Sequence, residues 1–299
     1  MTFPSIALIA KPISHQVSIT GKLERALKAR GYRTRASFDL SAPEAVVFCW
    51  SWGKAMTVRE KNPAAIICCI DHGYTRERGS FVNTGWSLPA VPCGLNGFAE
   101  HAVVDDGGVR ARAMGWDTEL RRYRPTGQRR AVICGQVYGD AMIVGHVADY
   151  TQWLHDVRDG LVAEGYTTVF RPHPVMVRRG NARERYGNMG PESPHKDLWT
   201  DLAEADLAVG LSSNAVTQAF VDGIDARIYN HGSMLAPIVP EFGTNVPTEY
   251  RERWFHRLAW AQWTHDEVAG GEWAKYHIPI MHRLWETGEL RPWHSQRIP

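Results

Sequence analysis

The feature that most constrains the fold is a regular alternation of short apolar, strand-like runs with helix-like segments. In the first half, residues 45–50 and 64–70 are almost entirely apolar, as expected for strands covered on both faces of a sheet. Leu23 and Leu27 lie on one face of a predicted helix, which Gly31 ends. Alternation of this kind predicts an α/β fold, with parallel sheets wrapped by helices.

The alternation restarts after a polar, basic and turn-rich segment at residues 107–129, while residues 71–101 predict a long loop. The chain has 299 residues, more than the roughly 250 that one core usually holds. The second half predicts strands at 130–135, 167–171, 206–211 and 226–229, and helices at 147–165, 197–205 and 213–222. We therefore predict two Rossmann-like, doubly wound domains, 1–125 and 126–299, the second including a tryptophan-rich helical stretch at 244–290.

The charge balance excludes a strong global electrostatic field. Lys plus Arg number 34 and Asp plus Glu number 32, a formal charge of +2. The clearest local concentration of positive charge is a run of five arginines: Arg121, Arg122, Arg124, Arg129 and Arg130. Such a run is typical of solvated linker and loop charges, and it also fits an anionic acceptor such as DNA.

The cysteines and the apolar segments indicate the compartment. Five cysteines are an odd number, and Cys49, Cys68 and Cys69 lie in strand-like runs, so they predict buried free thiols in a reducing environment. The first residues carry no charged leader, and no run approaches 18 apolar residues. We expect a cytoplasmic protein without a membrane span.

Three polar clusters follow predicted strands of the second half, at residues 135–140, 171–174 and 210–214. In open α/β sheets, ligands bind at the carboxyl ends of the strands, near the switch in strand order. The clusters therefore predict a ligand site at this edge. In the first cluster, Gly135 allows close approach of a ligand, and Gln136 is a candidate contact.

The turn before the 213–222 helix is a candidate anion site. Ser212, Ser213 and Asn214 stand where a strand gives way to a helix, so hydroxyls and free backbone N–H groups converge there with the helix dipole. Simple capping of the helix by serine explains the same residues. Asp222 lies near the far end of this helix. It either accepts hydrogen bonds from ribose hydroxyls or is an ordinary surface residue at the helix end.

The second candidate turn holds a histidine between two prolines. Pro172 and Pro174 fix the backbone, so the His173 imidazole is held in place to donate to a leaving phosphate, or it simply packs in a loop. The guanidinium of Arg171 fits a phosphate and equally fits a surface carboxylate.

The pair of motifs Arg171-Pro172-His173-Pro174 and Ser212-Ser213 resembles the "HP" and "SS" motifs of bacterial sialyltransferases and Kdo transferases. Residues 135–140 (GQVYGD) also look similar to glycosyltransferases encoded by bacteriophages. The resemblance implies a GT-B fold of two facing Rossmann-like domains. It further implies that His173 assists departure of the nucleotide, while Ser212 and Ser213 bind its phosphate.

In that family the base comes from the N-terminal domain, where Asp71 at the end of a predicted strand is the candidate; the same residue also fits a turn. The resemblance implies a nucleotide-sugar donor, with no metal or other cofactor, and an acceptor hydroxyl such as a 5-hydroxymethylpyrimidine of phage DNA in the host cytoplasm. A glycan acceptor is the first alternative. A nucleotide-sugar epimerase and a non-catalytic binding module are the others.

Overall fold

The computed structural model describes residues 3–72, 81–87, 107–116, 120–140, 143–144, 147–194, 197–229 and 246–287. The chain forms two compact units. The first contains the described residues up to Met114 and those from His256 onward, and the second contains those from Gly115 to Phe255. No helix within the described ranges is both long and apolar enough to cross a membrane.

The first unit is built on a six-stranded sheet. Its elements are β1 (Ile6–Ile9), α1 (Ser14–Lys28), β2 (Thr34–Ser37), β3 (Val46–Trp50), α2 (Trp52–Lys61), β4 (Ile66–His72), β5 (Phe81–Ser87) and α3 (Val109–Ala113). From the end of the chain come the last six residues of α9 (Thr248–Ala261), β10 (Gln262–Thr264), α10 (His265–Gly270) and α11 (Glu272–Thr287), while the first eight residues of α9 belong to the second unit. The strand order is β10-β5-β4-β3-β1-β2. Strands β2, β1, β3 and β4 are parallel, and β5 runs antiparallel to β4 and to β10.

The second unit is built on a four-stranded, fully parallel sheet. Its elements are β6 (Arg130–Cys134), α4 (Tyr150–Ala163), β7 (Thr167–Arg171), α5 (Pro174–Arg178), α6 (Ala182–Tyr186), α7 (Leu198–Ala203), β8 (Leu207–Gly210), α8 (Asn214–Val221) and β9 (Asp225–Ile228). The strand order is β7-β6-β8-β9. The chain moves from β6 to β7 on one side and continues with β8 on the other. The switch in strand order therefore lies between β6 and β8, where this class of sheet binds ligands.

Apolar residues of the strands and capped helices make the core of the second unit. Ile133, Phe170 and Val209 from three adjacent strands are buried, and Leu154 and Leu161 pack against them from α4. Helix α4 begins where the Asp149 carboxylate accepts the N–H of Gln152, and α7 begins at Asp197 in the same way. The predicted α/β class with parallel sheets is confirmed.

Two strands lie where none was predicted. Strand β5 lies in the segment predicted to be a long loop, and β10 interrupts the predicted helical stretch 244–290. The two strands pair with each other at the edge of the first sheet. This pairing explains why the helical segments from His256 onward lie with the first unit, whereas the sequence assigned them to a domain 126–299. The division near residue 115 rather than 125 agrees with the backbone N–H groups of Arg121 and Arg124, which donate to carbonyls of the second unit.

Three of the C-terminal tryptophans that the structure describes are fully buried. Trp254 is buried in the second unit, and Trp263 and Trp273 are buried in the first. Trp273 stacks on His277 with ring centroids 4.8 Å apart, and Trp263 Nε1 donates to His277 Nε2 at 3.1 Å. Burial lowers the pKa of His277 to about 3, so the imidazole stays neutral and can accept this hydrogen bond.

The turn after α8 allows a direct test of packing in the second unit. Gly223 has φ +87°, and a Cβ there would lie 2.2 Å from the carbonyl oxygen of Arg122. We expect Gly223→Ala to lower the free energy of unfolding by about 3 kcal/mol, because overpacking adds to backbone strain. Urea denaturation measures this change.

The matched control is Gly180→Ala, since Gly180 has φ +70° and a Cβ added there would meet no other atom within 4 Å. We expect this substitution to cost only the backbone strain of about 1 kcal/mol. Equal losses for the two variants would contradict the packing described at Gly223.

Candidate active site

The three predicted turns lie at the carboxyl ends of β7, β6 and β8, three neighbouring strands. The side chain of Gln136, just beyond β6, reaches across the switch in strand order to Ser212, just beyond β8. Its Oε1 accepts the Ser212 N–H at 2.8 Å, and its Nε2 donates to Ser212 Oγ at 3.1 Å. Gln136 is only 6 % exposed. The structure thus brings the first and third turns together through one side chain.

Helix α8 begins at the third turn. Ser213 is the N-cap, and its Oγ accepts the N–H of Ala215 at 3.3 Å. The capping explanation is therefore correct for Ser213, and this hydroxyl still has its proton to donate. Asn214 is the first residue of α8, and its Oδ1 is buried and accepts no hydrogen bond from the residues that the structure describes. An orphaned acceptor beside a helix N-terminus leaves the turn incompletely satisfied.

His173 is the N-cap of the short helix α5, with Pro174 as its first residue. The ring nitrogen Nδ1 accepts the N–H of Val175 at 3.1 Å. A neutral imidazole that accepts at Nδ1 carries its proton at Nε2. His173 therefore presents an N–H donor on the side of the ring away from its own helix.

Gly135 is required by packing. A Cβ there would lie 3.0 Å from the ring of Phe170 and 3.2 Å from the ring of Tyr186. Its backbone N–H donates to the carbonyl of Arg171 at 2.9 Å, which continues the β6–β7 ladder by one residue. These aromatic rings explain why position 135 holds a glycine, and the close approach of a ligand there stays a prediction.

Arg171 is paired with a buried carboxylate. Its guanidinium bonds to Asp201, which is fully buried, and Ser193 Oγ donates to the same carboxylate at 2.6 Å. The predicted alternative of a carboxylate partner is realised, although the partner is buried and not on the surface. An ion pair of this kind anchors α7 to the end of β7.

Asp222 does not join the cluster. It follows the last residue of α8, and eight helical residues separate it from Ser213, roughly 12 Å along the axis. Its two carboxylate oxygens pair with Arg121 at 2.9 Å and with Arg124 at 3.0 Å. These pairs fasten the segment that leads into β6, and the ribose contact of Asp222 stays a prediction.

The arginine run is largely engaged within the second unit. Besides the pairs to Asp222, Arg130 bonds to Glu204 at 2.5 Å. Arg129 donates to the carbonyl of Glu164 and lies over the ring of Tyr166, 5.1 Å from its centroid. Neighbouring carboxylates therefore compensate part of the positive charge of these arginines, which the sequence analysis considered as a site for an anionic partner.

Asp71 lies in the first unit, at the end of β4. Its Oδ1 accepts the N–H of His72 at 2.7 Å. The rings of His15, Trp50 and His72 are in mutual contact, with centroids 5.1 to 5.6 Å apart. The predicted base thus stands beside an aromatic and imidazole cluster at the carboxyl edge of the first sheet.

Next to this cluster is a polar group that the sequence analysis missed. Lys54 Nζ donates to the carbonyl of Trp50 at 3.0 Å and lies 3.4 Å from both Gln16 Oε1 and Ser51 Oγ. Burial lowers the pKa of Lys54, while Asp71 and the buried thiols oppose the shift. Ser51 has φ +73°, a strained conformation for a residue other than glycine. The sequence feature that could have indicated this group is the segment 51–54, which directly follows the apolar strand at 45–50.

Two buried tyrosines of the second unit also escaped sequence reasoning. Tyr150 OH accepts the N–H of Gln136 at 2.9 Å, and Tyr186 OH donates to the Gln136 carbonyl at 2.7 Å. They are 3 % and 1 % exposed. Tyr150 lies one helical turn from Trp153, on which it stacks, and Tyr186 follows a charged segment, so no local motif connects either tyrosine with Gln136.

Two solved structures from Thermosulfurimonas dismutans resemble this chain in fold. KpsC, beta Kdo 2,7 transferase aligns with a TM-score of 0.51 at 14% identity, covering 91% of this chain and 99% of that chain. KpsC, beta Kdo 2,4 transferase aligns with a TM-score of 0.52 at 14% identity, covering 87% and 91%. No protein-family model matches the sequence, nor does any curated protein. The predicted likeness to Kdo transferases is confirmed for the fold, which is α/β and GT-B-like.

The pairing of Arg171 with Asp201 allows a test of the anchoring role of Arg171. We expect Arg171→Met to lower the free energy of unfolding by about 3 kcal/mol, because Asp201 is left buried without its countercharge. Adding Asp201→Asn in the same chain should recover part of the loss, since the uncompensated charge is gone. Urea denaturation of both variants measures this. An Arg171→Met chain of unchanged stability would contradict the anchoring role.

Proposed function

We propose that this chain is a glycosyltransferase that moves a sugar from a nucleotide-sugar donor, held by the second unit, to an acceptor hydroxyl. The arrangement at the β6–β8 switch carries the proposal: Ser212 and Ser213 present hydroxyl donors at the N-terminus of α8, and His173 presents Nε2–H one strand beyond β6. These groups are all donors at one sheet edge, which suits a phosphate. The names of the two KpsC transferases agree with this class of reaction.

The proposed chemistry is cleavage of the bond between the sugar carbon and the donor phosphate. Negative charge builds on the phosphate oxygen as the bond breaks, and the serine hydroxyls, the α8 dipole and His173 stabilise it. The acceptor oxygen bonds to the sugar carbon, and its proton passes to a base, for which we propose Asp71. The orphaned Asn214 Oδ1 would accept from a hydroxyl or amino group of the nucleotide. This route needs no metal.

For the acceptor we propose a sugar hydroxyl. The likeness to phage proteins suggested a 5-hydroxymethylpyrimidine in DNA, which would need the arginine run to bind the DNA phosphates. Three of those arginines already pair with Asp222 and Glu204, which favours the sugar hydroxyl. The expected location of this protein in a host cytoplasm depends on the same proposal of a phage origin.

The donor side is tested by nucleotide release from a panel of UDP-, CMP- and GDP-sugars. We expect His173→Ala to lower turnover with the preferred donor by about a hundredfold, because it removes the donor to the leaving phosphate. His155→Ala, at a half-buried histidine of α4, is the matched control and should retain turnover. Release that is indifferent to His173→Ala would remove the leaving-group role. Sugar isomerisation without an acceptor would indicate an epimerase, and binding without turnover a non-catalytic module.

The acceptor side is tested with oligosaccharides and with hydroxymethylated DNA. We expect transfer to the oligosaccharides, and we expect Asp71→Asn to abolish most of it by removing the base. Asp39→Asn, at an exposed aspartate of the first unit, is the control and should be active. Transfer to DNA, with binding that weakens steeply as salt rises, would instead establish the nucleic-acid acceptor.

A further inference from the structure

One buried hydroxyl connects two of the three turns at the candidate active site. Tyr186 OH donates to the carbonyl of Gln136 at 2.7 Å and accepts a hydrogen bond from the backbone N–H of His173. A phenolic hydroxyl has one proton and free lone pairs, so it can serve both groups at once. The turns that follow β6 and β7 are therefore tied together at Tyr186.

The side chain of Gln136 extends this connection to the third turn. The Ser212 N–H can only donate, so the atom 2.8 Å from it must be the amide oxygen of Gln136. The amide nitrogen then faces Ser212 Oγ at 3.1 Å and donates to it. Ser212 Oγ also lies 3.5 Å from Gln136 Oε1, which is long for a hydrogen bond between two oxygens, so the Ser212 hydroxyl proton is available to a nearer acceptor.

We infer that Tyr186 and Gln136 are positioning residues that hold His173 and Ser212 in one fixed arrangement and make the Ser212 hydroxyl a donor toward a ligand's phosphate oxygen. The inference rests on the proposed function, because it assigns the ligand of that same site. It also changes the role predicted for Gln136, whose backbone and side chain bond to Tyr150, Tyr186 and Ser212 within the protein.

The surroundings of Tyr186 make a clean substitution possible. Its ring lies between Phe170, at 5.0 Å between centroids, and Tyr138, at 5.6 Å. Tyr186→Phe keeps this packing and removes only the oxygen that joins Gln136 to His173. Both backbone groups then lose a shared partner.

The first test compares Tyr186→Phe with the matched control Tyr166→Phe, whose ring stacks under Arg129. We expect Tyr186→Phe to lower kcat with the preferred nucleotide sugar by about tenfold to a hundredfold, because small displacements of catalytic groups are costly. KM should change less than kcat. The control should match the wild type, and an unfolding midpoint close to the wild type would show that the fold is intact.

The second test is Gln136→Glu, with Gln128→Glu at an exposed position as the control. A carboxylate cannot donate to Ser212 Oγ, so the hydroxyl proton turns back to residue 136 and the donor to phosphate is lost. We expect affinity for whichever of CMP, UDP and GDP binds the wild type best to fall about tenfold or more. Affinity for the corresponding nucleoside, which lacks phosphate, should stay the same.

The Gln136→Glu variant should recover at low pH. A protonated carboxyl can donate to Ser212 Oγ as the amide does, so the ratio of variant to wild-type affinity should rise as pH falls through the carboxyl pKa. The titratable and charged groups around Gln136 in the part of the chain that the structure describes include Cys134, Tyr138, Tyr150, His173, Tyr186, Arg185 and the Arg171–Asp201 pair. Burial raises the pKa of Cys134 and of Tyr186 to about 12. Groups that titrate without interacting with residue 136 are present in both chains and cancel in the ratio.

The outcomes separate the inference from the function beneath it. If the wild type releases nucleotide while Tyr186→Phe and Gln136→Glu behave as their controls do, the positioning role is overturned and the proposed function stands. If the wild type binds none of CMP, UDP and GDP, the donor site is overturned and the inference falls with it. A Gln136→Glu affinity that stays low at every pH overturns the donor assignment of Ser212.

Discussion

The hydrogen bonds between Gln136 and Ser212 are the interaction on which the polar edge of the second unit depends. At a switch in strand order, the connections that follow the two central strands leave on opposite sides of the sheet. Backbone hydrogen bonds between these two strands therefore stop where the strands end. A side-chain amide has one acceptor and one donor end, and it can replace a ladder step there. Tyr150 and Tyr186 hold the backbone of the same residue, so the amide is fixed before any ligand arrives.

The first unit also has a glutamine near its switch in strand order, although this one lies on helix α1 and has different partners. Its switch in strand order lies between β1 and β3. There Gln16 Oε1 accepts the backbone N–H of Lys11 at 2.8 Å and lies 3.4 Å from Lys54 Nζ. The second unit presents hydroxyls and a helix N-terminus at its edge, while the first presents an ammonium group beside Asp71. The carboxyl edges of the two sheets therefore present different functional groups, although both sheets belong to the same α/β class.

The extent to which the sequence predicts this structure follows the range of the interactions. Strands β3, β4, β6 and β8 are short apolar runs, and burial on both faces makes such runs recognisable. Helix α2 begins at Trp52 without regular apolar spacing, and β5 lies in a segment rich in turn residues, so both escaped notice. The roles of single polar residues were harder to predict. Asp222 pairs with Arg124 across 98 residues, and Tyr186 meets Gln136 across 50.

The order in which the units complete themselves along the chain has a consequence for biosynthesis. The second unit is continuous in sequence, whereas the first contains β10, which follows it and pairs with β5. A nascent chain therefore holds every strand of the second unit while β5, already able to pair with β4, still lacks its second partner. During translation the later-encoded sheet can close first, and the unfinished edge of the earlier one stays exposed to other chains until Gln262–Thr264 emerges.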